Sequence, residues 1–582
     1  MTDRKKLNLG YSDFKNIIKS NSYFVDKSLL IKEVIDTEKN VLLFPRPRRF
    51  GKTLNLSMLK CFFDKNEPEN KTLFKDLKIW QTEDYIKENC GKYPVINLSF
   101  KDAKANNWND CYELIISEIV KLYSKHDYLL ENNTLKSHEK NNFKNILTEN
   151  ASNVKYQNSI KQLSEYLERS HKEKIVILID EYDTPIQAGY GKFYDEVVPF
   201  MRNLLSGAFK DNSNLYKGII SGILRVSKES IFSGLNNLSV YSILDNQFSD
   251  KFGFTEPEVN EIIKDFKVKT EYSKIKKWYN GYRFGKVKNI YNPWSILNYV
   301  LHPEDGFKTF WTNTSANELI KNEIKKKEAD SIRKEILKLI NNETINKDIE
   351  ENFVFPDLSK RKSILWTLLT YSGYLTTKKQ ISRKEYELFI PNYEIKTIFQ
   401  DTIIEWLETD IKIIKSLLQD TTNYLINNQL TDFEKGFKEI IGDTFSYYDT
   451  AKNNEYIYHS YILGLLAIIG DDYLIKSNKE SGEGRYDIML IPHDTSTSLS
   501  TGKSRNGVVI EIKQIEKQQA KEKNEDFNKR INKEIKFATN QIDKNKYYKE
   551  LIDNKVDETN IIKIPIVFAG KEPYITLIEK DY

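Results

Sequence analysis

Eight consecutive residues near the start of the chain have the types needed to hold a phosphate: Arg46, Pro47, Arg48, Arg49, Phe50, Gly51, Lys52 and Thr53. Phosphate binding calls for backbone N–H groups at the N-terminus of a helix, with a cation beside them. Here Lys52 would reach the β- and γ-phosphates of ATP, and the Thr53 hydroxyl would bind Mg²⁺. The first position of the usual G-x-x-x-x-G-K-[ST] pattern is Arg46 rather than Gly. Taken alone, Gly-Lys-Thr fits a basic helix-capping turn equally well.

A second element favours the phosphate reading. Residues 175–179 read Ile-Val-Ile-Leu-Ile and run directly into Asp180 and Glu181. An acid at the C-terminal end of a buried strand holds Mg²⁺ through water, and a Glu beside it polarises the attacking water as a general base. Asp183 either joins that site or caps the next turn. Residues 217–224 form a further candidate strand. Ser221 near its tip, with Arg225 just beyond, is placed either to sense the γ-phosphate or to serve an ordinary surface loop.

A different chemistry is spelled out near the C-terminus. Cleavage of a phosphodiester with a metal needs acids to hold the ion and a cation near the attacking water. In the candidate strand 507–513, Val509, Glu511 and Lys513 share one face, because side chains alternate. In the candidate strand 485–491, Asp487 shares a face with Met489 and Ile491. Pairing of these two strands brings Asp487 to Glu511 and Lys513. On a helix upstream, Glu455 and His459 are four residues apart and so on one side. Glu-x-Lys on a strand is also what an ordinary solvated face looks like.

Several elements must position these groups. Short apolar runs at 41–44, 93–100, 175–179 and 217–224 alternate with helix-like segments, the pattern of a buried parallel sheet with helical crossovers. Residues 256–440 are mostly helical, with breaks near 280–292 and 353–357 and a hairpin at 373–377 and 385–390. From residue 445 a helix over 456–469 precedes the strands 485–491 and 507–513. The loop between them, 492–506, is rich in Ser, Thr and Gly and reads as mobile. A charged helix over 517–550 follows, then a strand over 564–569 with Pro565 near its start, where it is tolerated. The charged helix has enough Lys to lie along a phosphate backbone, but Glu522, Glu525, Asp526 and Glu534 interrupt the run and favour a solvated helix.

The chain of 582 residues is too long for one core. Hydrophobic residues make up 39% and charged residues 30%, as in folded soluble domains. The 89 basic and 84 acidic residues nearly cancel to +5, so any nucleic-acid surface has to be a local patch. Cys61, Cys90 and Cys111 have neither metal-site spacing nor an even count, which fits a reducing compartment. Residues 1–14 lack the apolar segment of a secretion signal, and no apolar run is long enough for a bilayer span. A cytoplasmic, non-membrane protein is expected.

The chain resembles the bacterial predicted AAA-ATPase-like family that carries a C-terminal PD-(D/E)XK nuclease superfamily domain. The resemblance rests on Phe24-Val25-Asp26-Lys27, on 46–53, on 178–185 and on 221–226. It continues through 232–237, Phe252-Gly253-Phe254-Thr255, Trp278-Tyr279-Asn280-Gly281-Tyr282 and Tyr291-Asn292-Pro293-Trp294. It covers nearly the whole chain, and Arg46 is usual in that family. It implies an α/β fold in three parts: an AAA-like P-loop ATPase domain over 1–255, a mainly helical lid or linker over 256–440, and a PD-(D/E)XK-like domain over 441–582. It implies that Arg46 to Thr53 and Asp180 bind ATP and that Thr53 and Asp180 hold Mg²⁺. Glu181 and Arg225 would act in hydrolysis. In the C-terminal domain, Asp487, Glu511 and Lys513 match the nuclease signature, with Glu455 and Gln541 on the flanking helices and Glu455, Asp487 and Glu511 as metal ligands. DNA is preferred as substrate on the resemblance alone, and AAA-like proteins often assemble into homo-oligomers. The leading expectation is an ATPase coupled to a metal-dependent nuclease. Its rivals are a nucleotide-dependent switch whose nuclease-like domain only binds nucleic acid or a protein, and a nuclease whose P-loop binds ATP with little turnover.

Overall fold

The computed structural model describes residues 6–131, 134–224, 237–311, 330–351, 361, 363–409, 414–447, 464–465, 467–481, 484–493, 505–570 and 572–577. The chain divides into two compact units. One comprises Met1–Trp311 with Asn346–Ile395, and the other Thr312–Ile345 with Lys396–Tyr582.

The first unit is built on a five-stranded sheet. In chain order the strands are β1 (Val41–Pro45), β2 (Val95–Ser99), β3 (Ile175–Asp180), β4 (Leu215–Gly222) and β5 (Leu238–Val240). They lie side by side as β2-β3-β4-β1-β5, all parallel. Because β1 and β3 flank β4, the C-terminal ends of three strands open on one edge. Every residue of β1 and β3 is buried, which explains why both read as unbroken aliphatic runs rather than alternating ones. Each aliphatic side chain buried in this way contributes about 1.5–3 kcal/mol. Helix α1 (Lys52–Phe63) packs against β2, β3 and β4.

The helical region that follows has its own core, with Val259, Ile262, Tyr279, Tyr291 and Tyr299 almost fully buried. It includes helix α2 (Pro293–Leu301), which starts cleanly because Asn292 accepts bonds from the N–H groups of Trp294 and Ser295. The break expected near 280–292 is a small antiparallel pair, Tyr282–Phe284 with Val287–Ile290. The expected hairpin is Thr376–Gln380 with Glu385–Phe389. The motif lysine Lys27 proves to be an anchor. It donates to Glu258 at 2.7 Å and to the Asp250 carbonyl at 2.8 Å, and Glu258 also caps the helix that begins after Thr255.

Glu394 ties this region together. It is fully buried and accepts bonds from the N–H of Phe310 (2.7 Å), the N–H of Trp311 (3.0 Å) and the Ser295 hydroxyl (2.8 Å). Burial outweighs these bonds and the nearby Arg49, and pushes its carboxyl up to about 7. An ionised Glu394 therefore costs the folded state about 3 kcal/mol compared with a carboxyl of ordinary pKa. The proton is held more tightly in the folded than in the unfolded chain. This contribution is complete below about pH 4 and is lost as pH rises through about 7. The melting temperature should fall between pH 5 and pH 8, and Glu394→Gln should flatten that fall, since the amide oxygen still accepts from both N–H groups. Thermal melts of the two proteins across this range test the point; an equally steep fall in Glu394→Gln would exclude Glu394 as its source.

The second unit holds a mixed sheet. Its strands are β6 (Tyr473–Ser481), β7 (Gly484–Pro492), β8 (Gly507–Ile515), β9 (Ile561–Ala569) and β10 (Glu572–Tyr574), in that spatial order. Only the β8–β9 pair is parallel. Helix α3 (Asn524–Lys544) packs on β8 and β9 through Phe527, Ile531, Ile535, Ala538 and Ile542. It is shorter than the helix expected over 517–550, and a separate helix occupies Lys549–Asp553. Strand β9 begins earlier than expected, so Pro565 lies in its interior. Among the described residues only Val567, Phe568 and Ala569 pair with β10, so there one flank of the strand has no ladder partner beside Pro565.

Candidate nucleotide and nuclease sites

The loop after β1 enters α1 through Gly51, which has φ +84 and no heavy atom within 4 Å of where a Cβ would stand. That left-handed turn aims the first N–H groups of α1 into open space. Lys52 is buried, and its ammonium is held by the carbonyls of Arg46 and Pro47 at 3.0 Å each. Burial lowers its pKa, and Glu181, Asp180 and Asp183 pull it back up. The two carbonyls thus fix the position of the side chain in the mouth of the loop.

Strand pairing does the rest. The Thr53 hydroxyl donates to Asp180 Oδ2 at 2.6 Å, and the Ser221 hydroxyl donates to Asp180 Oδ1. Residues from the first turn of α1 and from the ends of β3 and β4 therefore meet at one carboxylate. Clustered oxygen donors of this kind suit a hard divalent cation such as Mg²⁺. Glu181 follows with φ +49, a strained value for a residue with a side chain, and accepts from the Thr184 hydroxyl at 3.2 Å. A cavity of about 320 Å³ opens onto Gly51, Lys52, Thr53 and Glu181, and continues past Tyr11, Phe24 and Trp294. That volume is at the lower end of the range for small-molecule sites.

One expected site residue, Arg46, is placed differently. The Arg46 side chain is fully buried and turned away from the loop. It donates to the carbonyls of Pro45 (2.9 Å) and Tyr241 (2.5 Å), lies 4.8 Å from the Phe252 ring, and burial lowers its pKa to about 9. Its backbone is engaged as well, the N–H with the Gly222 carbonyl at 3.0 Å and the carbonyl with Lys52. Asp183 is also committed: it accepts from the N–H groups of Ile223 and Leu224 at 3.0 Å each and from Gln187 at 2.7 Å. It locks the end of β4 at Gly222, where a Cβ would come within 2.7 Å of the Asp183 carboxylate. Arg49 has φ +66 and reaches outward, donating to the Phe310 carbonyl at 2.6 Å and lying over Trp294. Arg48 is half-buried and Pro47 and Phe50 are buried. Arg225 lies outside the described residues.

In the second unit, β7 and β8 pair antiparallel with Ile488 opposite Ile510, a register that sets Asp487 against Glu511. Glu511 is only 3% exposed. Its Oε1 accepts from Lys513 at 2.8 Å and from Gln541 of α3 at 2.9 Å. Burial raises its pKa, Lys513 opposes that rise, and Asp487 adds to it. Asp487 accepts from the Ile512 N–H at 2.7 Å. Glu511 Oε2 is buried with no hydrogen-bond partner among the described residues. A buried, unpartnered carboxylate oxygen next to a second carboxylate is suited to a hard cation. Among the described residues no group of three or more acids, histidines or cysteines is arranged for a metal, so the site there rests on these two carboxylates. Glu455 and His459 lie outside the described residues, as do the loop residues 494–504.

The sequence reading missed three features of these sites. The N-terminal residues around Tyr11 that line the cavity carry no motif. The Arg49–Phe310–Glu394 linkage joins positions far apart in the chain. Gln541 was expected near the acids, but not that Tyr547 would accept a bond from its amide at 2.9 Å.

Two family models match the chain. Residues 8–232 match the family model described as Predicted AAA-ATPase, and residues 453–576 match that of the PD-(D/E)XK nuclease superfamily. The chain carries both of these domains. It is 26% identical over 407 residues to an uncharacterized protein in the vnfD 5' region of Azotobacter chroococcum mcd 1, covering 69% of this chain and 70% of that one. It is also similar to the crystal structure of a DNA replication initiation factor, at 14% identity. That match covers 79% of this chain and 99% of the other, with a TM-score of 0.24, too low to bear on function. Among the described residues, no helix is long and apolar enough to cross a membrane.

Proposed function

We propose that the protein binds and hydrolyses ATP in its first unit and uses that cycle to control a metal-dependent nuclease domain that acts on DNA. The observation that carries the reading is the meeting of Thr53, Asp180 and Ser221 beside Lys52 and Glu181, at the mouth of a cavity of about 320 Å³. The functional parts are residues 1–255 for the ATPase, 256–440 as lid and linker, and 441–582 for the nuclease, in a cytoplasmic protein.

In the ATPase part, the N–H groups of residues 48–53 and the Lys52 ammonium bind the phosphates. Thr53 and Asp180 hold Mg²⁺, which supplies charge neutralisation when bound. Glu181 takes the proton of a water that attacks the γ-phosphorus, the bond to the β–γ bridging oxygen breaks, and ADP leaves. In the nuclease part, Asp487 and Glu511 would hold Mg²⁺ or Mn²⁺, which would lower the pKa of water and polarise the phosphate. Lys513, held by Glu511, orients the attacking water and counters charge on the phosphate.

The test is cleavage of mixed DNA and RNA substrates by the full chain in Mg²⁺ and Mn²⁺, with and without ATP, beside equilibrium ATP binding. Wild type should bind ATP and cut DNA. Lys52→Ala should lose most ATP affinity, since the loop then has no ammonium facing the β- and γ-phosphates. A folded Lys52→Ala protein with unchanged affinity would remove the ATP site from this loop. Binding of DNA without cleavage under any of these conditions would replace the nuclease with a binding module.

A further inference from the structure

Phe537 stands beside the candidate nuclease site and takes no part in the metal chemistry. It lies on α3 one turn before Gln541 and is 57% exposed. The Lys513 ammonium is 5.7 Å from its ring centre, while Gln541 reaches Glu511. The ring therefore borders Lys513, the cation that Glu511 holds and that would face the phosphate.

The surface around it is basic. On a helix, positions 529, 533, 537, 540 and 544 fall on one stripe, with 536 at its margin. That stripe reads Lys529, Lys533, Phe537, Asn540 and Lys544, with Lys536 alongside, and all six are exposed. It spans about 22 Å of helix. Lys529 pairs with Asp526 at 3.3 Å, whereas no ion pair engages Lys533, Lys536 or Lys544 among the described residues. Of the acids near this face, Asp543 pairs with Lys563 at 2.5 Å and Glu522 with Arg530 at 2.9 Å, while Glu525 lies exposed in the first turn. The opposite side of the helix is the buried one, so the lysine face is not needed for folding.

We propose that this face of α3 is the substrate-guiding surface of the domain: Phe537 stacks on an unpaired base next to the phosphate presented to Asp487, Glu511 and Lys513, while Lys533, Lys536 and Lys544 contact the flanking phosphates. The inference rests on the nuclease reading. An exposed aromatic ring between regularly spaced cations matches a nucleic-acid strand, because every base has a π-face and every linkage a negative charge. An acidic peptide would satisfy the lysines and leave the ring without a partner. The surface therefore favours single-stranded ends and unpaired stretches over continuous duplex.

The experiment titrates the full chain, in Ca²⁺, into a labelled single-stranded DNA carrying one 2-aminopurine. Wild type should bind it and quench the 2-aminopurine. Phe537→Ala should bind about ten- to a hundredfold more weakly and lose the quenching, whereas Phe537→Trp should restore both. Replacing Lys533 and Lys536 together by Glu should weaken binding and reduce its salt dependence. Both residues are exposed, so folding is preserved, which a thermal melt checks. If Phe537→Ala binds and quenches like wild type, this surface is not the guide and the nuclease reading still stands. If wild type binds no nucleic acid at all, both readings fall.

Discussion

Glu181→Gln should bind ATP as tightly as wild type and hydrolyse it roughly 10²–10⁴-fold more slowly. The substitution keeps the size of the side chain and its bond from Thr184, and removes only the ability to accept a proton. Binding survives because the phosphates are held by Lys52, Thr53 and the loop backbone. The left-handed backbone at Glu181 strengthens the expectation. With φ +49, the position is costly for most side chains. Asp183 cannot substitute, since its carboxylate already serves two N–H groups and Gln187. Steady-state phosphate release measured beside equilibrium binding checks this. Turnover near the wild-type rate would remove Glu181 from the role of base.

The second large effect is expected in the other unit. Asp487→Asn should lose metal binding and DNA cleavage together while leaving ATP affinity unchanged. The amide oxygen can still accept from the Ile512 N–H, so the strand pairing around it survives and the loss reports on charge. The change also removes a like charge beside buried Glu511, whose raised pKa that charge reinforces. The metal-free variant should therefore be at least as stable as wild type. Lys513→Ala should behave differently, keeping metal affinity but cleaving slowly. Isothermal titration with Mn²⁺ and gel assays of cleavage separate the two. An Asp487→Asn protein that still cuts DNA would place the metal elsewhere.

Much of this was legible in the sequence, for reasons that can be traced. Strands β1 and β3 are buried on both faces, so they appear as aliphatic runs, and the polar residues at their ends stand out. Alternation placed Glu511 and Lys513 on one face and Asp487 opposite them once β7 and β8 paired. What remained hidden depends on contacts between distant segments. Nothing around Arg46 in the chain tells that Tyr241 and Phe252 enclose its guanidinium. Nothing near Glu394 tells that Phe310 and Trp311 donate to it. Strand β6 was missed because it is an edge strand: Lys476, Ser477, Asn478, Lys479 and Glu480 give no hydrophobic alternation to read. The long charged helix was read too long because Lys and Glu favour helix through the turn that actually separates α3 from Lys549–Asp553.

The most direct test of the central claim is the single-turnover rate of DNA cleavage by the full chain in Mg²⁺, measured with ATP and without nucleotide, for wild type and Glu181→Gln. The account predicts cleavage that depends on Asp487 and changes rate with ATP in the wild type. It also predicts that this response is altered when Glu181→Gln holds ATP without hydrolysing it. Cleavage at one rate in all four conditions, or no cleavage in any, would contradict an ATPase that controls a nuclease.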